Sequence, residues 1–234
     1  MLAILKKRKA LQELAKQQVI ATDEKTEVSI TASPAFSAKP WEETQIILKQ
    51  DLNFLRTLSG SKEKDPYKEE LINKYRPLVE RLLETHQGNY GNLDVMWYFY
   101  LWHVDLGKLE DIHSDFRLAI DGGLETPNGW KMDGQTAFLG YIFNYSLHAY
   151  KAKEAFNREY LISAVKDVQS GELATNAPLK VKIFRLVGDW HFDAGEKKQA
   201  HDLFEKVMKL APKDGGRVTK LKDLKEELGY DRPN

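Results

Sequence analysis

Lys6, Lys7, Arg8, Lys9 and Lys16 stand against a single acid, Glu13, in residues 1–20. Fixed cations in a row neutralise nucleic-acid phosphates and release their counterions. The run also suits a solvated terminal helix, because Leu2, Leu5, Leu11, Leu14 and Ile20 form a thin apolar stripe among good helix formers. Farther on, Trp102-His103-Val104-Asp105-Leu106-Gly107 returns as Trp190-His191-Phe192-Asp193-Ala194-Gly195. His and Asp are good metal ligands. Residues two apart on a helix do not share a face, however. The pattern therefore favours a structural role, with Trp in the core and His and Asp satisfying a helix end beside its terminating Gly. Asp111 and Asp115, one turn apart, have the spacing to hold magnesium as a nuclease needs, and Asp189 and Asp193 repeat it, with Glu196 just after the turn. Such pairs are equally the mark of a solvated face, and Glu110 and Asp121 point elsewhere around the helix. There is no phosphate-binding Gly-rich loop, no His-Glu-x-x-His and no serine in a strained turn. Catalytic residues and metal ligands are thus left unassigned. No cofactor is expected, apart from magnesium if the chain cuts nucleic acid.

The elements that must position these groups read as helices. Leu93, Met96, Trp97, Tyr100, Leu101 and Val104 recur at three- and four-residue steps, while Tyr98, Phe99, Trp102 and Leu106 fill most of the opposite side. A helix apolar nearly all round needs cover on more than one face, so this is the expected central core helix; it is too short for a bilayer, which needs ~20 residues. Gly107 supplies the reversal, and Leu109, Ile112, Phe116, Ala119 and Ile120 mark a returning helix stopped by Gly122 and Gly123. Before this hairpin, a helix is expected over 41–58, a polar loop over 59–66, and a helix to His86 that Pro77 kinks or restarts. After it, helices are expected over 135–152, 156–169, 179–194, 197–211 and 218–228. Residues 21–40, rich in Ser, Thr and Ala with Pro34 and Pro40, read as a linker between a basic arm (1–20) and a helical-hairpin domain (41–230). No stretch alternates at period two, so the expected class is all-α without a sheet.

With 234 residues, 42% hydrophobic and 30% charged, the chain can build one sizeable core with a separate terminal element. The absence of cysteine removes disulfides, thiolate metal sites and cysteine nucleophiles. The opening Met-Leu-Ala-Ile-Leu-Lys-Lys-Arg-Lys has its charges after a very short apolar run, the reverse of a signal peptide, which predicts an intracellular protein without a membrane partner. A formal net charge of zero means that nucleic-acid binding must come from a local patch, and several copies around a ring would concentrate it.

The duplicated motif extends to His113 and Phe116, which line up with His201 and Phe204. In the second copy Phe184, Gly188, Ala200, Phe204 and Pro212 fall at tetratricopeptide spacings, where small residues let two helices pack closely. Tyr100 occupies the place of Gly188 in the first copy. The expected architecture is a short α-solenoid-like stack of antiparallel hairpins.

Leu101-Trp102, Asp105, Gly107, Gly123-Leu124 and Pro127 make the central stretch resemble the small terminase subunits of tailed phages with cohesive ends, the GpM-type terminase endonuclease subunit family. The order of elements is similar from about 41 to 228. Some members of that family extend into a Lys/Arg-rich tail, whereas this sequence stops at Asp231-Arg232-Pro233-Asn234. The resemblance implies a protein of the host cytoplasm that binds the packaging site on double-stranded phage DNA. It also implies recruitment of the large ATPase-nuclease subunit and assembly into a homo-oligomer. The family's name carries an endonuclease activity for which no residues are recognisable in the sequence. Two other classes remain: a tetratricopeptide-like protein-interaction adaptor without DNA binding, and a metal-dependent nuclease with an unfamiliar site.

Overall fold

The structure, a computed structural model, describes residues 41–230. The basic arm with Lys6, Lys7, Arg8, Lys9 and Lys16, and the linker over 21–40, lie outside the described residues. Among the described residues there are nine helices and no strand, as the missing period-two alternation requires. The chain divides between Arg81 and Leu82 into two compact units.

In the first unit, α1 (Trp41–Thr57) buries Thr44 and Leu48. The next helix, α2 (Gly60–Thr85), begins where a polar loop over 59–66 is expected, and it runs on through both Pro66 and Pro77. The Ser59 amide donates to the Glu63 carboxylate at 2.9 Å, so the polar run starts the helix instead of breaking it. Asp51 of α1 joins the two helices. Its carboxylate accepts from the hydroxyls of Tyr67 at 3.0 Å and Tyr75 at 2.8 Å and pairs with Lys74, all on α2. Burial and the Asp51 charge raise the Tyr75 pKa far above its ordinary value, so this hydroxyl stays a donor.

In the second unit each helix packs on its neighbour in the chain. The order is α3 (Asp94–Asp105), α4 (Leu109–Asp121), α5 (Gly134–Ala152), α6 (Glu159–Ser170), α7 (Ala177–Asp193), α8 (Lys197–Leu210) and α9 (Val218–Leu228), with α5 also touching α7. The expected central helix is α3: Val95, Met96, Trp97, Phe99, Tyr100, Trp102 and His103 are all buried. Tyr100 stacks on Phe116 of α4 with ring centroids 4.6 Å apart, and Trp97 meets Phe116 edge-on at 5.6 Å. Start signals are equally local. Asp133 caps α5 by accepting from the Thr136 amide at 2.7 Å, and Asn176 caps α7 by accepting from the Leu179 amide at 3.0 Å, with Pro178 in its first turn. The helix expected from 156 starts at Glu159, because Asn157 accepts from the Glu159 amide at 3.0 Å and holds the entry turn.

The two copies of the duplicated motif end their helices alike. Gly107 and Gly195 take φ of +73° and +76°, Lys108 N–H donates to His103 C=O at 2.8 Å, and Glu196 N–H donates to His191 C=O at 2.8 Å. Backbone groups close both helix ends, and the expected service of the His and Asp side chains there is not seen. His103 turns inward, with Nδ1 at 2.8 Å from the Phe99 carbonyl oxygen. Gly188 and Phe204 make the close approach of α7 to α8 that the spacing suggests: a Cβ at Gly188 would fall 2.6 Å from the Phe204 ring.

Candidate functional site

The acids that could serve a metal are dispersed. Asp111 and Asp115 are exposed on the outer face of α4. Asp189 is held by α9: Arg217 Nε donates at 2.8 Å and Lys220 Nζ at 3.0 Å, while a second Arg217 nitrogen pairs with its other oxygen. Lys220 also sits 4.3 Å above the ring of Phe192. Asp193 accepts from the Tyr150 hydroxyl at 2.6 Å, and Glu196 faces Nδ1 of His191. Glu110 accepts from the Tyr145 hydroxyl, and Asp121 pairs with Arg117, which also reaches Asp167 at 3.2 Å. Among the described residues no three His, Asp or Glu side chains form a group that could hold one ion. The structure therefore does not bring Asp111, Asp115, Asp189 and Asp193 together.

What it does form is a pocket of about 510 Å³ where the α3–α4 turn meets α5. That volume falls in the range of ordinary ligand sites. Tyr141, Tyr145 and His148 follow at helical steps along α5, with Asn144 between them, and Asp105 and Glu154 stand at the margins. No lysine or arginine is among its lining residues. Its shape comes from local signals. The Gly107 reversal leaves Asp105 at the helix end, and Lys153, at φ +57°, ends α5 so that the Glu154 amide can donate back to Ala149 C=O at 3.0 Å.

The walls are fixed from behind. The Tyr141 ring touches Trp97 and Phe116, and that of Tyr145 touches Phe156 and Tyr160. Burial first, and then the Asp105 charge, pushes the Tyr141 pKa up to about 12. Burial and the hydrogen bond to Glu110 push Tyr145 up to about 12 as well. Both phenols are therefore neutral donors at physiological pH, and the formal charge of the lining is set by the two carboxylates. A pocket of neutral aromatic faces with carboxylates at its margins is suited to a cationic side chain. Sequence reasoning counted Tyr141 and Tyr145 as core; the available signal was the His148 and Asn144 beside them, which make that face polar.

Residues of the motif that suggested a family are structural in this fold. Trp102 is buried, Leu124 is buried with its amide donating to Ala119 C=O at 2.9 Å, and Gly123 takes φ +84°. No helix among the described residues is long and apolar enough to cross a membrane.

Comparison with known proteins matches residues 45–177 to the family described as phage small terminase subunit. The match runs from α1 to the first residue of α7, so Gly188, Asp189 and the last two helices lie beyond it. The chain is also 21% identical over 165 residues to the "Terminase, endonuclease subunit" of Escherichia phage P2. That alignment takes in 70% of this chain and 65% of the relative, so the chain spans less than two thirds of the relative's length. No solved structure matches the chain.

Proposed function

The chain belongs to the family of phage small terminase subunits, and we propose that it is the DNA-recognising part of a terminase. In this reading it binds the packaging, cohesive-end site on double-stranded phage DNA inside the infected host cell. It recruits and regulates a large subunit that hydrolyses ATP and cuts. Lys6, Lys7, Arg8, Lys9 and Lys16 supply the phosphate contacts, and several copies act together because one chain carries no net positive charge. Family membership over more than half of the chain is the observation that carries this reading.

Leaving the cut to the large subunit is supported by where the acids sit. Asp189 and Asp193 are engaged by Arg217, Lys220 and Tyr150, in three different elements from the exposed Asp111 and Asp115. A second reading, in which the chain itself nicks DNA with magnesium, is favoured by the printed name of the phage P2 relative. Purified chain with magnesium or manganese, incubated on DNA bearing the cohesive-end site, distinguishes the two. Specific nicking that is lost in Asp111→Ala or Asp189→Ala would put the cut in this chain.

The DNA reading is tested by fluorescence anisotropy on phage DNA at graded salt. A steep fall of affinity with salt is expected, with a flatter slope and weaker binding to every sequence once Lys6, Lys7, Arg8 and Lys9 are replaced by Ala. Affinity indifferent to salt and to those replacements would instead favour the adaptor reading.

A further inference from the structure

The pocket between the α3–α4 turn and α5 has a composition that family membership does not account for. Its lining holds two carboxylates, Asp105 and Glu154, with no lysine or arginine, and its faces are the rings of Tyr141, Tyr145 and His148. Those tyrosine rings are held by Trp97, Phe116, Phe156 and Tyr160, so the site costs little to organise when something enters. A guanidinium or ammonium on a flexible stem matches it: the charge meets the carboxylates, the planar or methylene part lies on the rings. Asn144, exposed on the same face of α5, can accept from such a group.

The chain itself contains a ligand of this chemistry. Lys6-Lys7-Arg8-Lys9 is four consecutive cations in a segment outside the described residues. We propose that the pocket seats this basic segment from a second copy of the chain, with one of its cationic side chains between the rings and the carboxylates. The inference rests on the reading that the protein self-associates. It adds a consequence: the same four cations serve either a neighbouring copy or DNA phosphates, so DNA and the pocket compete for them.

The test uses the full chain with Lys6, Lys7, Arg8 and Lys9 replaced by Ala, so that its own segment does not interfere. The probe is a fluorescein-labelled peptide of residues 1–16. Saturable binding is expected, weakened tenfold or more by Glu154→Lys or by Asn144→Arg. Both substitutions are at exposed positions, and unchanged thermal unfolding verifies the fold. A peptide with Ala at the four basic positions should not bind. Absence of binding, or equal binding to the Glu154→Lys and Asn144→Arg chains, overturns the proposal. Sedimentation supplies the source: Glu154→Lys in the otherwise native chain should weaken self-association. Peptide binding with unaltered sedimentation would overturn the second copy as occupant. Failure here is distinct from failure of the DNA reading. Loss of DNA affinity in the alanine chain without peptide binding sinks only this inference. Peptide binding with DNA affinity untouched by the alanines sinks only the DNA role.

Discussion

Gly188 and Phe204 touch so closely that a Cβ on the glycine would lie 2.6 Å from the ring. Helices α7 and α8 approach to a distance that only hydrogen permits. Gly188→Ala should therefore cost about 1–3 kcal/mol, since Phe204 is wholly buried and its ring has nowhere to move. Urea unfolding measures this. A companion Phe204→Leu should recover part of the loss, and strict additivity of the two would show that they do not share the contact.

Asp189 ties the last helix to α7. Its removal in Asp189→Ala leaves Arg217 and Lys220 without this acceptor, at a cost of about 2 kcal/mol for charged hydrogen bonds. Hydrogen exchange should rise first in Val218–Leu228, with α3 and α4 little affected. Uniform protection across α9 in the variant would contradict the clamp.

Asp51 does comparable work in the first unit. Asp51→Ala should destabilise by about 2–3 kcal/mol, because two tyrosine hydroxyls and Lys74 lose a shared acceptor. Asp51→Asn, which retains an oxygen for the hydroxyls, should cost less. Equal losses in the two variants would assign the effect to packing alone.

His113 stacks on Tyr160 with ring centroids 3.9 Å apart. Burial first, and then the Arg117 charge, hold its pKa below the ordinary value. The folded chain thus keeps a neutral imidazole at a pH where the unfolded chain has taken up a proton. Stability is full above the unfolded value, about 6.5, and declines as pH falls below it toward the lower folded value. His113→Phe keeps a ring against Tyr160 and removes this dependence. Its urea midpoint should fall less than the native chain's between about pH 6.5 and 5; equal slopes would mean His113 is not the group responsible.

The helices themselves were legible because their signals are local. The three- and four-residue steps of Met96, Trp97 and Tyr100 mark α3, Gly107 and Gly195 mark its end and that of α7, and Gly188 marks a close crossing. The run from Ser59 to Pro66 misleads, because Ser-Gly and Pro punctuate loops while the Glu63 carboxylate that starts the helix is an unremarkable charge in the sequence. The site was hardly legible at all. Tyr145 finds Glu110 across 35 positions, Tyr150 finds Asp193 across 43, and Arg217 finds Asp189 across 28. No periodicity foretells which carboxylate is occupied and which is left at a pocket margin. That depends on the stacking of α5 against the α3–α4 turn.

Packing of each helix in the second unit on its immediate successor has a kinetic consequence. Contacts close over short stretches of chain, so little loop entropy is spent before burial repays it, and folding should be fast for a domain of this size. On the ribosome, α3 and α4 can pair while α7 is still being made. The segment Val218–Leu228 comes last, buries chiefly Leu224, and adds its ion pairs to a body already folded.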